Sequence, residues 1–446
     1  MTGSPSTVPR APGRLPLLGH AWPLLRRPLE LFQELRPLGD IVRLDIGSMP
    51  VYVLTSPDVV HQVLVAGARG FEKGRLFDRL RPLLGNGLPV AEGEFHRCQR
   101  RLVQPGFHHT RFDDYARIMA RHAERVALSW EAGRRLALDS ELHELVMAIT
   151  AEALTSAEAG KDLVREIHRS LPTVARGVII RALAPKALDR LPIPLNRKFG
   201  TAATRLLTAI DDVIERYRSA GIVEGDLLSM LLTARDPDSG AAMSDRQVRD
   251  ETLTLLVGGT ETTATALAWV FHELGRHPEV EDRVRAEVTE VVGDRSVELA
   301  DLERMPYLDQ VLHEGVRLHS LPLLMRRAIT TVTVGGVEFP EGTEFALSQY
   351  ALHRDPRTYP RPERFEPERW ESIPRSQRNR VFIPFGAGTR KCLGDTFAWT
   401  EMAVILATLV TRWRLAPAPG HQVREIPAAS PRPDALPMIV TEVPAR

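Results

Sequence analysis

A chain of 446 residues, 43% of them hydrophobic and 26% charged, has the composition of a folded protein with a sizeable core and excludes an intrinsically disordered one. A formal net charge of +1 gives no whole-molecule attraction to nucleic acid or to an anionic membrane, so neither is expected as a partner. Its two cysteines, Cys98 and Cys392, exclude a disulfide framework and fit a reducing cytoplasm.

The first 20 residues mix Pro, Ser and Thr without the apolar run of a secretory signal, and are read as a flexible lead into one domain spanning 1–446. No stretch reaches the roughly 18 apolar residues that cross a bilayer, so a membrane anchor is not expected. Helical spacing covers 27–38, and the apolar runs on either side of Gly47, over 41–54, read as a β-hairpin. From about 110 to 180 the pattern is almost wholly helical. Ser244 and Gln247 form a capping-box signature that opens a long helix over 244–276, which Pro278 stops. Helices at 278–292 and 306–319 follow, then strands at 331–339 and 343–347 with Gly335-Gly336 as a turn, Pro-rich coil at 355–374 and a last helix over about 393–413. The chain therefore reads as mainly α with a small, mostly antiparallel β part.

Cys392 stands in Phe385-Gly386-Ala387-Gly388-Thr389-Arg390-Lys391-Cys392-Leu393-Gly394, a glycine-rich loop that feeds the last helix. Backbone N–H groups at a helix start and nearby cations keep a thiolate ionised, and an ionised thiolate is a metal ligand. Gly386 and Gly388 permit tight turns and close approach of the main chain to a flat cofactor, and Arg390 can pair with a carboxylate on it. A buried structural cysteine is the alternative.

In the long helix, Gly258-Gly259-Thr260-Glu261-Thr262-Thr263 is poor helix material inside a strongly periodic element, and such a local conflict points to function. Thr262 stands four residues after Gly258, so its hydroxyl can take that carbonyl and loosen the ladder. Glu261 then offers a carboxylate able to relay protons. A packing kink with a surface Glu is the plainer alternative. Glu314 and Arg317 sit one turn apart, which alone describes an ordinary surface pair. His96 and Arg100 are likewise one turn apart, while Arg97, Arg101 and Arg327 are expected to be solvated. No P-loop and no G-x-G-x-x-G after a strand is present, so a fused reductase is not expected.

Four segments together resemble the cytochrome P-450 haem-thiolate monooxygenases of the soluble bacterial type. The Cys392 loop matches F-x-x-G-x-R-x-C-x-G, Glu314 to Arg317 matches E-x-x-R, Pro367-Glu368-Arg369-Trp370 matches P-x-R-[FW], and Gly258 to Thr263 looks like the oxygen-binding motif. The resemblance implies the family fold, with haem between a long distal helix and a proximal Cys-loop helix, and Cys392 as the ligand of haem b. It further implies that Phe385, Gly386, Gly388 and Gly394 shape the ligand loop and that His96, Arg100, Arg326 and Arg390 hold the propionates. Glu261 and Thr262 would then handle protons, and a buried Glu314, Arg317 and Arg369 network would lock the loop. One oxygen atom of O2 would enter a C–H bond of an apolar small molecule, with electrons from a ferredoxin and ferredoxin reductase docking near Arg375, Arg378, Arg380 and Lys391. A cytoplasmic monomer is expected.

For the substrate, 71–90, 171–184, 321–325 and 436–438 are apolar stretches without an anchor for a charged ligand. Leu15-Pro16-Leu17-Leu18-Gly19-His20, Phe71 to Gly87 and Gln104 to His108 are similar to actinobacterial terpenoid oxidases of the pentalenene oxygenase type. A terpenoid in secondary metabolism is the expectation, with a macrolide, polyketide or fatty acid as alternatives. A peroxide-driven peroxygenase and a non-catalytic haem-binding protein are the two rival functions, and neither gives the Glu261–Thr262 pair a role.

Overall fold

The computed structural model describes residues 3–155, 161–183, 191–221, 225–321, 323–428 and 430–443. Its main helices are α1 (Gly93–Val103), α2 (Phe112–Ser129), α3 (Leu138–Leu154), α4 (Lys161–Leu183), α5 (Pro194–Ala220), α6 (Asp245–Arg276), α7 (Pro278–Val292), α8 (Pro306–Leu318) and α9 (Asp395–Arg412). One sheet is built from β1 (Ile41–Ile46), β2 (Met49–Leu54), β3 (Phe71–Glu72), β4 (Leu324–Ala328) and β5 (Glu344–Leu347). Contacts group the chain into two compact units, one of Met1–Phe77, Gln310–Cys392 and Arg424–Asp434, the other of Asp78–Asp309, Leu393–Val423 and Ala435–Arg446.

In the first unit the strand order is β1-β2-β5-β4-β3, with β2 and β5 parallel and the remaining neighbours antiparallel. Gly47 turns the expected hairpin with φ of 63°. A separate hairpin pairs Val332–Val334 with Val337–Phe339 across Gly335 and Gly336, whose φ values of 57° and 76° are those of a two-residue turn open to glycine. Tyr52, Phe71, Phe339 and Phe345 interlock on this side of the sheet, with the Tyr52 and Phe339 rings 4.7 Å apart. Residues 9–20 run beside β1: Arg43 donates its backbone N–H to Pro9 at 2.8 Å, and Asp45 donates its own to His20 Nδ1 at 3.0 Å.

The second unit is helical. Ser244 caps α6 through the expected box, its hydroxyl accepting from Gln247 N–H while Gln247 Oε1 accepts from Ser244 N–H. Helix α3 lies along α6, and the missing side chain at Gly259 lets it approach: a Cβ there would stand 3.3 Å from Thr150 Cγ2. Buried Arg285 on α7 donates to Val410 O of α9 at 2.7 Å and to Glu281 at 2.7 Å. The stretch expected to be almost wholly helical is so apart from a short strand, Arg135–Ala137, which pairs with the distant strand Pro437–Glu442. Among the described residues no helix is long and apolar enough to cross a membrane.

Candidate active site

In the first unit the Cys392 loop is closed by its own backbone. Gly386 donates to Ile383 O at 2.9 Å, Gly388 opens a tight turn to Arg390, and Cys392 N–H returns to Phe385 O at 2.9 Å. Gly386 and Gly388 have φ of 71° and 69°, and a Cβ on Gly388 would lie 2.0 Å from Leu64 O, so that position admits only glycine. Cys392 itself is exposed, which removes the buried structural alternative. Phe385 and Arg390 flank it, both partly buried, and Lys391 beside it is exposed. Arg326 lies buried on β4 and donates to Met325 O at 2.8 Å.

The same unit brings Glu314, Arg317 and Arg369 together. Glu314 accepts from Arg317 Nε at 2.9 Å, Arg369 Nε at 2.7 Å, Trp370 Nε1 at 3.1 Å and Glu366 N–H at 2.9 Å. Arg317 also donates to His353 O and Pro362 O, each at 2.8 Å. Glu314 and Arg317 are both 0% exposed, which rules out the ordinary surface pair.

In the second unit, α6 runs unbroken through Gly258 to Thr263. Thr262 Oγ1 donates to Gly258 O at 3.0 Å, as the spacing requires, and Thr260 does the same to Leu256 O at 2.6 Å. Thr260 and Thr263 are buried, whereas Gly258 and Thr262 are exposed and Glu261 is partly so. An otherwise buried helix thus opens one accessible strip of small and polar residues at helical spacing. On α1, His96 is buried and Arg100 partly buried. Gly394 precedes α9 with φ of −90°, and a Cβ there meets Phe107 at an ordinary 3.7 Å, so nothing local demands glycine.

Two expectations about charges change. Arg101 is not merely solvated but lies 2.7 Å from the buried Asp236, which also accepts from Cys98 Sγ at 3.4 Å. Burial, then Asp236, pushes the Cys98 thiol up from its ordinary value. Arg327 bridges Glu72 at 2.8 Å and Glu344 at 2.7 Å.

Three groups escaped the sequence reading. Asp250 and Glu251 accept the backbone N–H groups of Asn86 at 2.9 Å and Leu88 at 3.1 Å, and so fix part of the 71–90 stretch against α6. Glu401, on α9, is 0% exposed, and burial pushes its carboxyl well above the usual carboxylate range, opposed by the Thr263 hydroxyl. His353 and Gln349 reach the backbone of Ile383 just before the Cys392 loop. Their partners lie 30 to 164 residues away along the chain, so no local spacing signals them. The Val178, Ile179 and Ile180 side chains of the expected apolar stretch 171–184 lie outside the described residues, as do Leu83 and Pro322.

Within the first unit the donors fit a haem: the accessible soft sulfur of Cys392, a loop whose glycines bare the main chain, and the guanidinium groups of Arg326 and Arg390, suited to carboxylates. A family model described as Cytochrome P-450 matches residues 9–436. The chain is 42% identical over 438 residues to cyclooctat-9-en-7-ol 5-monooxygenase of Streptomyces melanosporofaciens, covering 98% of this chain and 95% of that one. It is 35% identical over 423 residues to pentalenene oxygenase of Streptomyces avermitilis, covering 94% of each. The structure of a cyanobacterial family member with retinoic acid bound superimposes with a TM-score of 0.86 at 26% identity, spanning 99% of this chain and 100% of that one. With the loop, the buried Glu–Arg network and the open helical strip, these likenesses show that the chain belongs to the cytochrome P-450 family, as a monooxygenase carrying haem b on a cysteine thiolate.

Proposed function

We propose that this chain hydroxylates an apolar terpenoid of secondary metabolism, with Cys392 as the axial ligand and Glu261 and Thr262 as the proton-handling pair. The observation that carries the reaction is the accessible sulfur of Cys392 on its closed glycine loop, in a chain whose long helix also bares Gly258 and Thr262. When bound, the haem supplies oxygen activation, and the family's thiolate ligand favours O–O cleavage. His96, Arg100, Arg326 and Arg390 pair the propionates. The Thr262 hydroxyl, held on Gly258 O at 3.0 Å, and the Glu261 carboxylate would hold and relay the protons that oxygen activation consumes. Support for a terpenoid comes from the relatives, named for cyclooctat-9-en-7-ol and pentalenene, and from the apolar Leu436-Pro437-Met438 turn. A cytoplasmic location accords with a chain that carries only two cysteines.

Thr262→Ala is expected to keep haem and substrate binding while diverting most electrons to hydrogen peroxide, because a positioned proton donor is typically worth about 10²–10⁴ in rate. Product formed per NADPH consumed is the quantity to measure. An unchanged yield removes Thr262 from the proton path.

Electrons are proposed to arrive from an acidic ferredoxin and its reductase. Arg378 is not available to such a partner, since its guanidinium donates to Ile373 O at 3.1 Å and to Trp370 O. Arg380 pairs with Asp58 at 2.7 Å and both are exposed, as is Lys391, while the Arg375 side chain lies outside the described residues. Reduction by ferredoxin should slow as salt rises and slow further in Lys391→Glu, because complementary charge acts mainly on association over a Debye length of about 10 Å at 0.1 M. A turnover with peroxide alone that matches the ferredoxin-driven rate would instead favour the peroxygenase reading.

A further inference from the structure

The loop that ends in Cys392 begins at Ile383, and both backbone groups of Ile383 are held by buried side chains. Its N–H donates to His353 Nε2 at 3.0 Å, and its carbonyl accepts from Gln349 Nε2. The same carbonyl accepts the Gly386 N–H at 2.9 Å, which makes the first turn of the loop, and Phe385 in that turn receives the Cys392 N–H at 2.9 Å. A fixed peptide at Ile383 therefore fixes, through two further hydrogen bonds, where the cysteine backbone lies.

The donor at Ile383 requires an unprotonated Nε2, so the imidazole proton sits on Nδ1 and points to Ser320 Oγ. The Ser320 hydroxyl donates in turn to Val316 O at 2.8 Å, and His353 O accepts from Arg317 Nη1 at 2.8 Å. Burial, then Arg317 and Arg354, hold the ring neutral, the form this arrangement needs. His353 and Gln349 are both 0% exposed. The Glu314–Arg317 pair thus reaches the start of the cysteine loop through His353, beside the Tyr359 hydroxyl that donates to Val381 O at 3.1 Å.

We propose that His353, assisted by Gln349, is a positioning residue that sets the register of the thiolate loop by fixing the Ile383 peptide. The proposal rests on the reading of Cys392 as the haem ligand. A positioning role predicts a change at the iron that loss of stability alone does not cause.

The test uses holoprotein of His353→Leu, which keeps bulk but strands the Ile383 N–H, and of His353→Gln, which restores an acceptor. The control is Val404→Ala, a buried residue of α9 in the second unit, compared at matched melting temperature. In His353→Leu the amides of Ile383 to Cys392 are expected to exchange hydrogen about tenfold faster or more, the scale of one stranded buried donor. The ferrous–carbonyl spectrum should shift in part from the thiolate type to the non-thiolate type. His353→Gln should recover the thiolate type, and Val404→Ala should never lose it. If His353→Leu yields no holoprotein, Gln349→Leu carries the same expectation, because it removes only the donor to the Ile383 carbonyl. A pure thiolate spectrum with loop exchange equal to that of the control overturns the proposal. A wild-type protein without a thiolate spectrum overturns the ligand reading instead.

Discussion

Glu314→Ala is expected to leave little folded holoprotein. The carboxylate accepts from two guanidiniums, an indole and a backbone N–H, at distances between 2.7 and 3.1 Å, in a site with 0% exposure. Its removal strands Arg317, which is itself fully buried, and Arg369, and breaking a buried ion pair in this way costs about 3–5 kcal/mol. Domains are stable by about 5–15 kcal/mol in total, so the loss consumes a large share. The arginines keep carbonyl partners at His353, Pro362 and Pro360, and Arg369 keeps Glu366 at 3.1 Å, but both Nε–H groups lose their acceptor and Arg317 loses its carboxylate. Glu314→Gln should be milder, since it keeps the shape and one acceptor oxygen. Soluble yield, haem content and melting temperature measure the effect; wild-type values in Glu314→Ala would show that the network is dispensable.

The parts of the site set by short-range chemistry were legible in the sequence. The capping box of Ser244 and Gln247, the back-bond of Thr262 to Gly258 and the turn at Gly335-Gly336 each depend on residues within four positions of one another, and each appears as read. The helix pair read at 278–292 and 306–319, found as Pro278–Val292 and Pro306–Leu318, and the last helix were likewise bounded by proline and by hydrophobic spacing. Glu314, Arg317 and Arg369 were found through motif resemblance, because nothing local shows that a pair one turn apart is buried.

What escaped depends on distant chain. Arg101 finds Asp236 at a separation of 135 residues, and Arg327 finds Glu72 at 255, so neither partner is visible from local pattern. The strand Arg135–Ala137 exists because Pro437–Glu442 pairs with it, a tertiary constraint that overrides the helical spacing around it. Helix α5 has its stop signal in Gly221, with φ of 60°, but was not read as an element. His353 lies 30 residues from the peptide it holds, and no spacing rule connects an imidazole to a backbone N–H at that distance.

The second large effect is at Cys392, and it bears most directly on the central claim that this thiolate holds the haem and supports monooxygenation. The residue is exposed at the end of a loop fixed by Gly386, Gly388 and the Phe385 carbonyl, so replacing it alters the ligand while sparing every packing contact that shapes the loop. Cys98, the other cysteine, donates a hydrogen bond to Asp236 and serves as the internal control. The measurement is the ferrous–carbonyl spectrum of the wild type, Cys392→Ala and Cys98→Ala, read beside ferredoxin-driven product formation from a terpenoid. The wild type and Cys98→Ala are expected to show the thiolate-type band and turnover, and Cys392→Ala to show neither. A thiolate-type band retained in Cys392→Ala would contradict the assignment and, with it, the account of the site.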